Sequence, residues 1–317
     1  MDLRQHSKLV WLLVLLSLFV GGSMIVLISF QDVGITKAVS EYANAYYGLI
    51  DFANRSVFES ATFGLSDIPI FFIIGIFLFL LLAPLTSRFF FITPRQLVCG
   101  NFILLSASLL TAVVHLLKGA ISRPRPNSVD LISYAGQSEQ FLWPVNWAFD
   151  AWGKGSFPSG HTASMVGMLV VIFTVKSWKT KLILFFAIFP TIIWMALSRI
   201  AVKAHWASDT LASILIGLAT IFFVKRIIFR LDERLKICDK TAITSPRSGF
   251  TWEWKLFPAL LLVMISPFFP VFLYRIDLPL VLIFFAALLS LFAIWKLSLS
   301  IVVRSKKHLD MLRSNIR

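Results

Sequence analysis

The sequence predicts an all-α protein, a polytopic bundle of transmembrane helices, from its composition and from the grouping of its apolar residues. Of the 317 residues, 58% are hydrophobic and 15% are charged, against about a quarter charged in an average soluble domain. The mean hydropathy is +0.82, and a soluble protein could not cover that much apolar surface with polar groups. The apolar residues also gather in runs long enough to cross a bilayer.

Eight such runs are candidate transmembrane helices, at approximately 9–30, 68–87, 97–117, 161–176, 182–198, 208–224, 257–274 and 279–303. The first run exceeds the apolar stretch of a signal peptide and no clear cleavage site follows it, so we interpret it as an uncleaved anchor. The predicted organisation is a six-helix core over 1–224 and an additional C-terminal helix pair over 256–303. The pair could bind a large lipid, mediate oligomerisation or brace the bundle, and we expect the last.

The distribution of Lys and Arg predicts the orientation of these helices. With a cytoplasmic N-terminus, 21 of the 30 basic residues fall on the cytoplasmic side, and an even number of helices returns the C-terminus there. The cytoplasmic segments are then a basic connection at 225–255 and a basic tail at 304–317. The net charge of +14 reflects this topology, and we expect no nucleic-acid binding, which needs a soluble basic face.

Two long segments, 31–67 and 118–157, fall on the extracytoplasmic side. The first mixes aromatic and polar residues, which suits short amphipathic helices at the membrane surface. It could guide a lipid to the protein or form an ordinary aromatic belt. It also contains Asn54-Arg55-Ser56, a formal glycosylation sequon. The second segment is rich in Pro, Gly, Ser and Trp, which favour a folded loop.

Polar residues gather at the outer ends of the third to sixth predicted helices, where three stretches of chain can converge on one site. Lys118, Arg125 and Arg199 together suit an anion with several oxygens, because Arg offers planar bidentate donors and Lys a point charge. A single cation at this depth would only extend towards the lipid headgroups. Ser159 and Gly160, before the fourth helix, suit either an anion cradle or a plain helix cap.

His205 and Asp209 are four residues apart, so on a helix they face the same way. A carboxylate bonded to one ring nitrogen fixes the tautomer and leaves the other nitrogen as a nucleophile or base. His161 is a second candidate, since a helix cap does not need an imidazole. These side chains could instead bind a metal, but the neighbouring cations would repel a divalent ion and no further ligands complete a site. We expect neither a metal nor a cofactor.

The whole pattern resembles the signature of the type 2 phosphatidic acid phosphatase family, which includes undecaprenyl-diphosphate and lipid A phosphatases. Its three parts are Lys118, six residues, Arg125-Pro126; Pro158-Ser159-Gly160-His161; and Ser198-Arg199, five residues, His205, three residues, Asp209. All positions match over a resemblance that covers roughly 68–224. The spacing selects Arg125 over Arg123 and leaves Lys203 outside the pattern.

The resemblance implies a role for each motif residue and no metal. His205 would attack phosphorus to give a phosphohistidine, Asp209 would orient and charge-stabilise the imidazole, and His161 would protonate the leaving oxygen and then activate water. The remaining residues would bind the phosphoryl oxygens, namely Lys118, Arg125, Ser159, Gly160 and Arg199.

These observations predict a hydrolase of a lipid phosphate monoester or diphosphate at the extracytoplasmic face of a bacterial plasma membrane. Its partners would be the phosphorylated lipid and the bilayer, and the sequence defines neither the lipid nor the oligomeric state. A phosphotransferase using the same histidine is an alternative. A transporter is less favoured, because it would place charges near the bilayer midplane or on broken helices.

Overall fold

The structure, a computed structural model of the chain, describes residues 19–57, 61–86, 92–121, 123–129 and 155–244, together with residues 16 and 314. Every regular element within these ranges is helical, which confirms the all-α class for this part of the chain. The predicted helices at 257–274 and 279–303, the connection beyond residue 244, most of the tail and most of the 118–157 loop lie outside the described residues.

We number the helices in chain order. They are α1 (Phe19–Ser29), α2 (Asp32–Glu41), α3 (Tyr47–Asn54), α4 (Asp67–Thr86), α5 (Pro94–Ile121), α6 (Gly160–Gly167), α7 (Trp178–Ala201), α8 (Ala207–Phe223) and α9 (Leu231–Thr244). A 3-10 helix, Met168–Phe173, continues α6, and a π-helical turn, Val224–Ile228, continues α8.

Three helical segments are long and apolar enough to cross a membrane: Pro94–His115, Trp178–Ala201 and Ala207–Ile228. The pair α1 and α2, bent by 70° at its break, would be a fourth. The predicted spans at 68–87 and 161–176 correspond to the shorter apolar helices Asp67–Ala83 and Gly160–Phe173. The described part of the chain therefore fits an integral membrane protein with three or four candidate spans, and the predicted count of six plus two is not established.

The chain forms two compact units. The described residues of the first unit belong to Met1–Asp67, Val114–Val166 and Ala187–Leu218. Those of the second belong to Ile68–Val113, Gly167–Phe186 and Ala219–Arg317. Every residue of the three sequence motifs lies in the first unit.

In the first unit, the segments before α4 pack on α7 and α8. Gly21 permits a close approach of α1 to α8, because a Cβ atom there would lie 2.6 Å from Cδ1 of Leu215. Helix α3 lies against α7, where Trp194 donates its indole hydrogen to the carbonyl of Leu49 at 3.1 Å. The rings of Phe52 and Trp194 pack with centroids 5.8 Å apart. The described part of the 31–67 segment thus contains two short helices, α2 and α3, of which α3 is anchored to α7.

The second unit contains the described part of the predicted basic connection. This part is ordered as the π-helical turn and α9, with Lys225 and Arg226 each paired to Asp232 at 3.2 and 3.3 Å. Asp239 of α9 accepts ion pairs from Arg95 at 3.1 Å and Lys176 at 3.0 Å. Acidic residues of the connection thus neutralise several of the cations that the charge count assigned to the cytoplasmic side.

Candidate active site

The extended segment after α5 connects the three motifs through its main chain. Lys118 lies in the last turn of α5. The carbonyl of Arg123 accepts the N–H of Ser156 at 2.7 Å. Ser156 lies just before the turn formed by Pro158-Ser159-Gly160-His161, here called the PSGH turn. The N–H of Asn127 donates to the carbonyl of Lys203 at 2.9 Å, in the turn between α7 and α8. Because these main-chain bonds join the segment after α5 to both of the other stretches, the three motifs meet in one place.

The PSGH turn begins α6 and is buried around Ser159. The hydroxyl of Ser159 lies 3.0 Å from that of Thr162 and accepts the N–H of Thr162 at 3.4 Å, which is a helix cap. The N–H of Ser159 donates to the carbonyl of Asp209 at 3.4 Å. At Gly160, an added Cβ would meet no atom closer than Cγ1 of Val114, at 4.0 Å. The described neighbours therefore leave room beside the Gly160 backbone for a ligand.

The turn between α7 and α8 brings His205 back beside the end of α7. Lys203 adopts a left-handed conformation with φ of 55°, a common way to end a helix. The N–H groups of Ala204 and His205 both donate to the carbonyl of Arg199, at 3.1 and 3.2 Å. Lys203 is thus a turn residue, and its backbone conformation, rather than its charge, shapes the site.

The imidazole of His205 is bonded to a backbone carbonyl. Its Nδ1 lies 2.6 Å from the carbonyl oxygen of Ser156 and 3.8 Å from Oδ2 of Asp209. Since a carbonyl only accepts, Nδ1 carries the hydrogen and Nε2 has a free lone pair. The hydrogen-bond partner of the ring is therefore the carbonyl of Ser156, where the sequence predicted the carboxylate of Asp209. That carboxylate accepts hydrogen bonds from other groups.

The carboxylate of Asp209 accepts two short hydrogen bonds of its own. Oδ2 accepts the N–H of Trp206 at 2.9 Å, which caps the first turn of α8. Oδ1 accepts from Nη1 of Arg123 at 2.6 Å. At 3.8 Å from the His205 ring, the carboxylate still acts through its charge in this buried site.

Burial lowers the pKa of His205 to about 4, and the nearby carboxylate of Asp209 only partly opposes this change. The imidazole is therefore neutral near pH 7, as a nucleophile must be. Burial, together with the positive charges of Arg125 and Arg199, lowers the pKa of Lys118 to about 8. The three cations act on one another because they face the same small region.

His161 lies in the first turn of α6 and is half-buried. Four motif side chains act on its imidazole through their charges, namely Arg199, His205, Lys118 and Arg125. The structure thus brings together all eight predicted site residues: Lys118, Arg125, Ser159, Gly160, His161, Arg199, His205 and Asp209.

Asn54, at the end of α3, holds the guanidinium of Arg199. Its Oδ1 accepts from Nη1 of Arg199 at 2.7 Å, while its Nδ2 donates to the carbonyl of Ile50 at 2.7 Å. The sequence singled out Asn54 only as part of a sequon. The structure instead places it beside Arg199, one of the three cations predicted to bind phosphate, and no local signal in the sequence points to this contact.

Arg123 and Asp32 are two further buried residues that sequence reasoning missed. Arg123 bridges Asp209 and Asp32, at 2.6 and 2.8 Å, and these carboxylates raise its pKa although burial acts in the opposite sense. The motif spacing excluded Arg123 in favour of Arg125. A carboxylate directly after an apolar run, as at position 32, is the signal that could have identified Asp32.

Within the ranges that the structure describes, no group of three or more His, Cys, Asp and Glu side chains could hold a metal ion. The described residues thus place the neutral imidazole of His205 close to three cations, Lys118, Arg125 and Arg199. Such a set of side chains suits an enzyme of the class that acts on phosphate esters.

Comparison with known proteins supports that class. Residues 98–233 match the model of the PAP2 superfamily, a range that contains all three motifs. This part of the chain, which carries the predicted site residues, is therefore similar to the PAP2 superfamily, whose members are phosphatases. No curated protein and no solved structure matches the chain.

Proposed function

We propose that the protein hydrolyses the phosphate monoester or diphosphate of a membrane lipid through a phosphohistidine on His205. The observation that carries this proposal is the state of the His205 ring. Its Nδ1 hydrogen is fixed by the Ser156 carbonyl at 2.6 Å, so Nε2 is the unprotonated atom. The cations Lys118 and Arg199 are close enough for their charges to act on the ring.

In the first step, the Nε2 lone pair attacks phosphorus and a P–N bond forms as the bond to the leaving oxygen breaks. His161, which takes up a proton once the bound phosphate offsets the charges of the neighbouring cations, donates it to that oxygen, so that the lipid leaves as an alcohol or as a monophosphate. The ring becomes positively charged, and the carboxylate of Asp209 stabilises it. Lys118, Arg125 and Arg199 bind the equatorial oxygens, where charge is spread in the transition state.

In the second step, His161 takes a proton from water, which attacks phosphorus on the phosphohistidine. The P–N bond breaks, inorganic phosphate is released, and Nε2 recovers its lone pair. His161 regains the proton that it gave to the leaving group, so the cycle needs no other acid or base. A phosphotransferase would follow the same scheme with a lipid hydroxyl in place of water.

The proposed lipid substrate and extracytoplasmic face are supported by the surroundings of the site. Lys118 lies in the last turn of α5 and His205 precedes α8, and both helices contain candidate membrane spans. Helix α3, which holds Arg199 through Asn54, carries the exposed side chains of Tyr47 and Leu49. Apolar surface beside the three predicted phosphate-binding cations suits a lipid whose headgroup reaches those cations. The excess of Lys and Arg in the other loops supports an extracytoplasmic position for this face.

A phosphate-release screen with the purified protein tests the proposal. The substrates are phosphatidic acid, phosphatidylglycerol phosphate, undecaprenyl diphosphate and lipid A phosphates in mixed micelles, and the blank is His205→Ala. A matched variant is His115→Ala, which changes a histidine of α5 outside the motifs. We expect phosphate release by the parent and by His115→Ala, and none by the blank.

Two results of this screen would contradict the proposal. One is equal activity of parent and His205→Ala. The other is phosphate that appears only on an added acceptor lipid, which would establish the phosphotransferase instead.

A further inference from the structure

Arg123 lies between two buried carboxylates that come from distant parts of the chain. Its Nη2 donates to Oδ2 of Asp32 at 2.8 Å, and its Nη1 donates to Oδ1 of Asp209 at 2.6 Å. Arg123 is 4% exposed and both acids are 0% exposed. One guanidinium thus connects the catalytic carboxylate to the start of α2, which lies outside the range matched by the superfamily model.

Asp32 also fixes the first turn of α8 through Ser208. Its Oδ1 accepts the N–H of Ser208 at 2.9 Å, and its Oδ2 accepts the hydroxyl hydrogen of Ser208 at 2.5 Å. The same hydroxyl oxygen accepts from Nη1 of Arg123 at 2.7 Å. Ser208 precedes Asp209, so Asp32 holds the backbone from which the Asp209 carboxylate extends.

Both groups next to the His205 ring depend on Arg123. The guanidinium orients the Asp209 carboxylate, which lies 3.8 Å from Nδ1. The Arg123 carbonyl accepts the N–H of Ser156 at 2.7 Å, and the Ser156 carbonyl binds Nδ1. The main chain of Arg123 therefore positions the Ser156 carbonyl, which accepts from the ring. The side chain of Arg123 positions the charge of Asp209.

Stability alone explains this arrangement poorly. A buried ion pair is costly to desolvate, and well-packed apolar residues often serve stability as well or better. Here one guanidinium bonds both acids, so Asp209 shares its cationic partner with Asp32. A carboxylate held 3.8 Å from the ring suits a histidine that becomes positively charged when phosphorus is attacked.

We propose that Asp32 and Arg123 are positioning residues of the phosphoryl-transfer site, a role that rests on the proposed function. They hold the Asp209 carboxylate and the Ser156 carbonyl against the His205 ring. The bend between α1 and α2, where Asp32 lies, is thereby part of the catalytic site.

Kinetics of Asp32→Asn and Arg123→Lys test this role. Asn keeps the shape of Asp32 without its charge, and Lys keeps the charge of Arg123 but cannot bridge two acids with two nitrogens. We expect kcat to fall about 10- to 100-fold, as for other supporting residues, with KM changed by less than about threefold. The phosphate-binding cations are not displaced, so binding of the substrate headgroup is retained.

Asp67→Asn is the matched control. Asp67 is also 0% exposed and accepts three hydrogen bonds, from Ser56, Val57 and Gly64. We expect it to lower the thermal unfolding midpoint in detergent at least as much as Asp32→Asn does, with kcat within about threefold of the parent. Equal losses of kcat in the two variants would mean that Asp32 acts only through stability.

A double-mutant cycle shows whether Asp32 acts through Asp209. If it does, Asp32→Asn costs little further kcat in the Asp209→Asn background, because the group that it positions is already neutral. Losses that multiply in the double variant would overturn the inference, as would an Asp32→Asn variant with the parent kcat.

Binding of orthovanadate, an analogue of the five-coordinate transition state, provides a readout that needs no turnover. We expect Asp32→Asn to weaken orthovanadate about tenfold or more and inorganic phosphate by less than about threefold, because only the former engages the nucleophile. Unchanged orthovanadate affinity in Asp32→Asn would refute the positioning role. A different pair of results would show that the proposed function itself has failed. In that case neither the parent nor any variant releases phosphate, and His205→Ala leaves the orthovanadate affinity unchanged in every background.

Discussion

The Nδ1 hydrogen of His205 is bonded to the carbonyl oxygen of Ser156 at 2.6 Å. A backbone carbonyl cannot change its protonation state, so it fixes the tautomer of the imidazole under all conditions in which the turn is intact. The charge of Asp209, at 3.8 Å, is then free for a different purpose. In the proposed mechanism it stabilises the positive ring of the intermediate without also having to orient it.

The first prediction follows from this division of roles. In Asp209→Asn the ring keeps its tautomer, so kcat falls by about 100-fold, through loss of charge stabilisation, rather than by the roughly 10,000-fold seen where an acid sets the tautomer. Phosphate release at saturating substrate measures the change. A loss as large as that of His205→Ala, in a variant with an unchanged unfolding midpoint, would mean that Asp209 sets the tautomer after all.

The second prediction concerns pH. The pKa of Lys118 is lowered to about 8, so Lys118 is charged below that pH and neutral above it. A phosphate monoester is already dianionic above about pH 7. We therefore expect kcat/KM to fall as the pH rises through about 8, with kcat less affected because bound phosphate keeps Lys118 charged.

Lys118→Arg provides the control for this pH effect. An Arg side chain stays charged at every accessible pH, so the alkaline decline in kcat/KM should disappear in this variant even if its maximum is lower. An unchanged decline would assign the effect to another group.

The third prediction concerns Asn54, whose Oδ1 accepts from Arg199 at 2.7 Å. In Asn54→Ala the guanidinium loses the bond that orients it, and a hydrogen bond to a charged group contributes about 1.5–3 kcal/mol. We expect KM for the lipid phosphate to rise by about tenfold, with a smaller change in kcat. A variant with the parent KM would show that Arg199 keeps its place without α3.

The fourth prediction concerns stability at Lys203, which has φ of 55°. Glycine adopts this conformation without strain, so Lys203→Gly should leave the free energy of unfolding unchanged or raise it by up to about 1 kcal/mol. Lys203→Val, with a branched Cβ, should lower it by about 1–2 kcal/mol. Thermal unfolding in detergent measures both. A lower midpoint for Lys203→Gly than for Lys203→Val would contradict a backbone role.

The sequence predicted the motif-bearing helices well because apolar runs end where the chain leaves hydrocarbon. The runs at 97–117, 182–198 and 208–224 lie within or close to α5, α7 and α8, and the first and third motifs fall at the ends of these helices. The spacing of Lys118, Arg125 and His205 was recognisable because each stretch is local in the chain. Both kinds of signal depend only on neighbouring residues.

The support of the site could not be predicted in the same way. Asn54 and Arg199 are 145 positions apart, and Asp32 and Ser208 are 176 apart. A polar residue that is satisfied by a distant partner leaves no periodic pattern in its own segment. For the same reason local spacing offers only Asp209 as the hydrogen-bond partner of His205, whereas the partner in the structure is the carbonyl of Ser156.

The covalent state of His205 during turnover tests the proposed mechanism most directly. The protein is mixed with its best lipid phosphate from the screen, quenched in alkali, where phosphohistidine survives, and digested for mass spectrometry. In the His161→Ala variant, which lacks the base for the second step, we predict that phosphate accumulates on Nε2 of His205 and that none is found in His205→Ala. Turnover by the parent with no phosphate on His205 in either protein would contradict a phosphohistidine mechanism.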